Sequence, residues 1–124
     1  MSMGTLCFAN PNPGGYDISQ YAYYGEYNNV SAFIEKTTYS SMYAQCYKAS
    51  AEYTIYAVGS TGGTGLQGDY VDASYGNYYT ISAGQTINDM VNSVRESGCC
   101  NAGIKGEYAG DSAFAANGYF LADK

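Results

Sequence analysis

The chain contains no histidine and no tryptophan. Without histidine it lacks the commonest general base and the side chain that changes charge near neutral pH, and the mixed cysteine-histidine zinc sets are excluded. A nucleophilic serine, threonine or cysteine would need a lysine, a carboxylate or a terminal amine as its base. Lys48 stands two residues from Cys46 and would point elsewhere on a helix, while Lys36 and Lys105 have no recognisable partner in the sequence. Asp69 with Asp72, and Glu107 with Asp111, are short acidic pairs of the kind that loops leave solvated. The expectation is a non-catalytic protein.

Positive charge is scarce as well. Five Lys and Arg against eleven Asp and Glu give a formal net charge of -6, with no basic cluster. Phosphate neutralisation therefore has nothing to work with, which excludes nucleic acid and an anionic membrane surface as partners. No apolar run approaches the roughly 20 residues that span a bilayer, so no membrane insertion is expected. Residues 1–13 lack the charged and apolar regions of a secretory signal peptide, which points to a chain that stays where it is made or is already processed. The run from Gly59 to Gly65 is rich in glycine but lacks the Gly-Lys-Ser/Thr of a phosphate loop and reads as a joint. Calcium loops of the Asp-x-Asp-x-Asp-Gly type are missing too.

The four cysteines are Cys7, Cys46 and the adjacent Cys99 and Cys100. No Cys-x-x-Cys pair occurs, and an all-cysteine zinc site would need two neighbouring residues on one tetrahedral ion. Two readings stay open. Free thiols pack as small hydrophobes, and a disulfide from Cys46 or Cys7 to the 99–100 pair would require an oxidising compartment.

What is abundant is tyrosine, 16 residues against 4 Phe. A buried tyrosine must find a partner for its hydroxyl, so a chain that carries its apolar mass in this form suits wet protein-protein contacts. A motif also recurs. Gly25-Glu26-Tyr27 with Ser31-Ala32-Phe33 returns as Gly106-Glu107-Tyr108 with Ser112-Ala113-Phe114, and Gly68-Asp69-Tyr70 with Ser74 is a looser copy between them. The spacing of roughly 40 residues is that of serially docked units. On this basis the chain divides into an extended arm over 1–24, a first unit over 25–67 and a second over 68–124.

Local patterns predict an α+β fold, small and loop-rich, with several short helices, a β-hairpin and an extended N-terminal arm. Asp17 can cap a turn through Ile18, Tyr21 and Tyr24, and Asn29 can cap Val30, Phe33 and Ile34. Thr37 or Thr38 precedes Tyr39, Met42, Tyr43, Cys46, Ala49 and Tyr53, a stripe at helical spacing, with the helix expected to end near Ser50. Two β-prone runs flank Gly76-Asn77 as a hairpin. Ser82 with Gln85 forms a capping box for a helix bearing Ile87, Met90, Val91 and Val94, which Gly98 ends. Partner docking is assigned to Phe8, Tyr39, Tyr43, Tyr47, Tyr53, Tyr119 and Phe120.

The segment Tyr43-Ala44-Gln45-Cys46-Tyr47-Lys48-Ala49, the Gly/Tyr repeats and the Met-Ser-Met-Gly start resemble the linker and gamma proteins of red-algal phycobilisomes. The resemblance implies a non-catalytic subunit docked among other proteins of a large light-harvesting assembly at the plastid thylakoid surface. It also implies a covalent bilin on Cys46, Cys99 or Cys100, with acidic residues near its pyrrole nitrogens. Two other classes stay open, a virion or filament structural protein and a secreted, disulfide-stabilised protein.

Overall fold

In the computed structural model, which describes residues 14–20, 27–61, 70–110 and 112–123, residues 42–49 are a strand. Met42, Ala44 and Cys46 are buried, whereas Tyr43 and Gln45 are half-buried and Tyr47 is exposed, the period of two that a half-buried strand requires. Among the described residues ten strands follow one another: β1 Gly14–Gln20, β2 Tyr27–Asn28, β3 Ile34–Glu35, β4 Met42–Ala49, β5 Tyr53–Ser60, β6 Val71–Asp72, β7 Tyr79–Ile81, β8 Thr86–Met90, β9 Asn101–Glu107 and β10 Phe114–Leu121. No helix is present among the described residues, so the expected α+β class is corrected to all-β.

The capping signals are real but serve turns. Ser82 N–H donates to Gln85 Oε1 at 2.9 Å, one half of a capping box, while Gln85 N–H donates to the Ser82 carbonyl at 3.0 Å. The four residues thus close a β-turn between β7 and β8. Gly98, at φ +82°, ends a single turn over 94–98: Cys99 N–H donates to the Val94 carbonyl and Gly98 N–H to that of Arg95, both at 3.0 Å. This is the bond pair of a Schellman motif. Val30 and Ile34, expected on a helix face, bridge in extended form to β9. Asp17 and Ile18 belong to β1, and Tyr21 and Tyr24 lie outside the described residues. The hairpin turn is displaced by one residue from Gly76-Asn77. Asn77 N–H donates to the Ser74 carbonyl at 2.9 Å, and the central residues Tyr75 and Gly76 have φ of 52° and 73°. Its arms do not pair with each other, since β6 and β7 both add to β5.

The strands form two antiparallel sheets, a front sheet in the order β2-β1-β10-β4-β8 and a back sheet in the order β3-β9-β5, with β6 and β7 in succession along the far edge of β5. Setting aside the two-residue β2 and counting β6 and β7 as one interrupted strand, the order over eight strands is 1-8-3-6 and 2-7-4-5, that of a jelly roll. The supposed serial units interleave within it: residues 42–60 pair with strands from 71–90 and 101–121 in both sheets. The described residues of the two fuller copies of the repeated motif coincide with passages of the chain between sheets, from β2 to β3 and from β9 to β10.

Between the sheets lie Ile18, Met42, Ala44, Ile55, Ile104 and Phe120, among others. A second cluster of Val30, Phe33, Tyr56 and Val58 covers the outer side of the back sheet, so β5 is buried on both faces over Tyr56–Val58. Two tyrosine hydroxyls meet inside. Tyr16 Oη donates to the Gln45 carbonyl at 3.1 Å, which leaves Tyr53 to donate to Tyr16 Oη across 2.9 Å. Burial pushes the Tyr16 phenol up to about 12, against a lowering by the Tyr53 bond, and burial drives Tyr53 upward as well. A raised folded value means stability that is complete below the ordinary tyrosine range and lost as pH rises. Unfolding free energy is therefore expected to fall between about pH 10 and pH 12, and Tyr16→Phe to flatten that fall, measured by denaturant titration at stepped pH.

Candidate functional site

Cys46 and Cys99 are free thiols buried in the core, and Cys100 is buried and disulfide-bonded. None of the three offers the accessible thiol that a thioether to a bilin needs; Cys7 lies outside the described residues. Burial also pushes the Cys99 thiol up, away from its reactive form. Two expected docking residues, Tyr53 and Phe120, are likewise core side chains, because each falls on the inward phase of its strand. Phe8 lies outside the described residues. Tyr39 is 66% exposed, with the Arg95 guanidinium 5.7 Å from its ring centre.

The structure brings together Tyr43, Tyr47 and Tyr119 on the outer face of the front sheet. The Tyr119 ring sits between the other two, at centroid distances of 5.7 Å to Tyr43 and 5.5 Å to Tyr47. Their hydroxyls form a long relay in which Tyr119 donates to Tyr43 and Tyr43 to Gln45 Oε1, each at 3.4 Å. A β-bulge sets the spacing. Cys46 pairs with Gly118 and Lys48 with Asn117, so Tyr47 is the extra residue of β4, 55% exposed beside Tyr119. Bulges of this kind re-aim side chains next to binding sites. Beyond the bulge the face dips into a cleft of about 440 Å³ lined by Asp17, Lys48, Ser50 and Asn117.

A second surface escaped the sequence reading. Strand β6 and its connection to β7 expose Val71, Tyr75 and Tyr78, half of the six large exposed apolar side chains among the described residues. It is held from within by Asp72, whose Oδ1 accepts from Ser74 N–H at 2.9 Å and from Ser74 Oγ, and whose Oδ2 accepts from Tyr78 Oη at 2.7 Å. Burial pushes the Asp72 carboxyl up, but the Ser74 and Tyr78 bonds outweigh it and hold it below its ordinary value. Asn77 Nδ2 donates to the Ser74 and Tyr75 carbonyls at 3.1 Å each. The Tyr78 ring stands edge-on against Tyr56 at 4.6 Å. Tyr75 is the only residue other than glycine with a positive φ among the described residues, and a bulky side chain in that region is strained. Asp72-x-Ser74 ahead of Tyr75-Gly76 was the available sequence signal, a side-chain turn motif followed by the glycine that a positive-φ turn favours.

No protein-family model, curated protein or solved structure matches the chain.

Proposed function

We propose that this protein is a non-catalytic structural subunit that docks onto another protein of a larger assembly through the tyrosine-bearing loop 71–78. The observation that carries this reading is Tyr75, 61% exposed and held at φ 52° by hydrogen bonds that the loop makes internally. Backbone strain of that kind persists only where the surroundings over-determine it, and it clusters at sites of contact. Tyr78, 54% exposed, offers a second ring already fixed by Asp72 and Tyr56. Rigid aromatic anchors lose little conformational freedom on binding and dominate interface energetics. The pigment-free form of the linker reading agrees with this arrangement, since its three candidate cysteines are buried and one of them is in a disulfide. Among the described residues no helix is long and apolar enough to cross a membrane.

The bonded Cys100 favours an oxidising compartment. A second reading, a virion or filament subunit whose partner is its own copy, is favoured by the jelly-roll strand order, which capsid domains share. That argument is one of fold analogy.

Tagged chain purified from its native cells is expected to elute far above 13.2 kDa in size-exclusion chromatography with multi-angle scattering. The Tyr75→Ser/Tyr78→Ser variant is expected to elute as a folded monomer that still unfolds cooperatively, its midpoint lowered by the lost Asp72 and Tyr56 contacts of Tyr78. Wild-type protein that elutes alone from its own cell extract sinks the docking reading. Particles or fibres formed by the purified chain by itself select the second reading over the first.

A further inference from the structure

The cleft on the front sheet is not used by the docking loop, and its lining sets a polar row beside the small apolar side chains Ala49, Ala115 and Ala116. Asp17 pairs in register with Asn117, and Asn117 with Lys48, so the three lie in one row across β1, β10 and β4. Neighbouring strands are roughly 5 Å apart. The row therefore offers an acceptor, an amide that both accepts and donates, and a donor, at intervals of one strand. None of these three side chains makes a hydrogen bond to another described residue. Asp17 and Lys48 are exposed and Asn117 is half-buried, so all three are open from solvent to a polar small molecule seated in a cleft of this volume.

Charge narrows the class. The Asp17 carboxylate disfavours an anion and the Lys48 ammonium disfavours a cation, and the two offset each other within one row. A neutral ligand that both donates and accepts is what remains. The apolar half of the site lies two residues further along β10, where Tyr119 stands beside the bulged Tyr47. Opposite Tyr119 on β1 is Gly15, and a Cβ there would meet nothing within 4 Å, so the space next to the ring is open. A molecule with hydroxyls on its rim and C–H groups on its faces satisfies both halves, its C–H face lying on the aromatic ring and its hydroxyls reaching the polar row. The geometry points to the cleft, with Tyr119 and Tyr47, as a binding site for a neutral saccharide.

The test titrates the purified full chain by two-dimensional NMR with neutral tetrasaccharides of α-linked glucose, β-linked glucose, mannose, galactose and N-acetylglucosamine. At least one is expected to bind with a Kd of about 1 mM or tighter. Tyr119→Ala and Asn117→Ala are each expected to weaken that probe about tenfold, while Tyr75→Ser leaves it unchanged. Should Tyr119→Ala or Asn117→Ala unfold, the exposed change Asp17→Ala reads the same row. The sulfated form of the bound sugar is expected to bind more weakly than the neutral one. No binding by about 10 mM, stronger binding of the sulfated probe, or unchanged affinity in folded Tyr119→Ala and Asn117→Ala overturns the proposal.

Discussion

Asp123→Ala is expected to lower the unfolding free energy by about 3–5 kcal/mol, the cost of removing one partner from a buried ion pair. The reason lies with Lys36, whose side chain is wholly inaccessible to solvent. Its ammonium donates to the Ser40 carbonyl at 2.7 Å, the Ala122 carbonyl at 2.6 Å and Asp123 Oδ1 at 3.3 Å. Burial pulls its pKa down, and the Asp123 charge pulls it back up. In the variant both carbonyls remain but the anion does not. Asp123 also organises the 37–38 backbone: Oδ2 accepts from Thr37 N–H and Oγ1, and Oδ1 from Thr38 N–H and Oγ1. The check is denaturant unfolding of Asp123→Ala beside Lys36→Met/Asp123→Ala. The double variant is expected to recover only the part of the loss due to the unpaired buried charge, because the Thr37 and Thr38 donors lose their acceptor in both variants.

The same carboxylate predicts a pH window. Burial pushes it up, but the donors of Thr38 and Thr37 outweigh that and bring it to about 2 from an ordinary 3.8. A folded value below the unfolded one gives stability that is present above about pH 4 and lost as pH falls toward about 2. Wild-type stability should therefore decline more steeply across that window than that of Asp123→Ala.

Lys36 and Asp123 are 87 residues apart, and nothing in the chain announces that they meet. The strands were hidden for a different reason. In β4 the inward positions are Met42, Ala44, Cys46 and then Ala49, because Tyr47 is an extra residue in the bulge opposite Gly118. In β8 the inward positions are Ile87 and Met90, because a register shift sets three residues of β8 against two of β4. Each bulge converts a step of two into a step of three, which is how a helix face reads. Outward tyrosines completed the illusion, since Tyr39 and Tyr43 count as apolar in a stripe although they face out. Turn chemistry was more legible: Ser82 and Gln85 make one half of the expected capping box and Gly98 closes a turn, but the helix expected between them is strand β8 followed by a single turn. Of the docking residues, Tyr47 and Tyr53 are of one type and differ only in strand phase, outward for the first and inward for the second, and Phe120 is inward too, none of which residue type announces.

Gly118→Ala is expected to destabilise the protein by about 3 kcal/mol or more, the upper end of what overpacking produces. A Cβ at this position would land on the Gln45 carbonyl oxygen and come within 2.6 Å of Tyr16 Oη. The first of these is backbone and has no rotamer to escape into. The second is the hydroxyl that donates to that same carbonyl and accepts from Tyr53, so the bond linking the two sheets would be pushed apart as well. Two glycines provide the scale. At Gly106 the added carbon would meet the tip of the Ile18 side chain, which can rotate away, and a loss of about 1 kcal/mol is expected. At Gly15 nothing stands within 4 Å, and alanine should be neutral or stabilising by about 0.5 kcal/mol. Denaturant unfolding of the three variants should rank them 118, 106, 15 in order of loss. Equal losses at 118 and 15 would show that β10 does not approach β4 at the bulge as described, and the placement of Tyr47 beside Tyr119 and the cleft would go with it. Because Gly118 fixes the bulge from which Tyr47 projects, its variant should also disturb the tyrosine row, seen as a change in near-ultraviolet circular dichroism that Gly15→Ala does not produce.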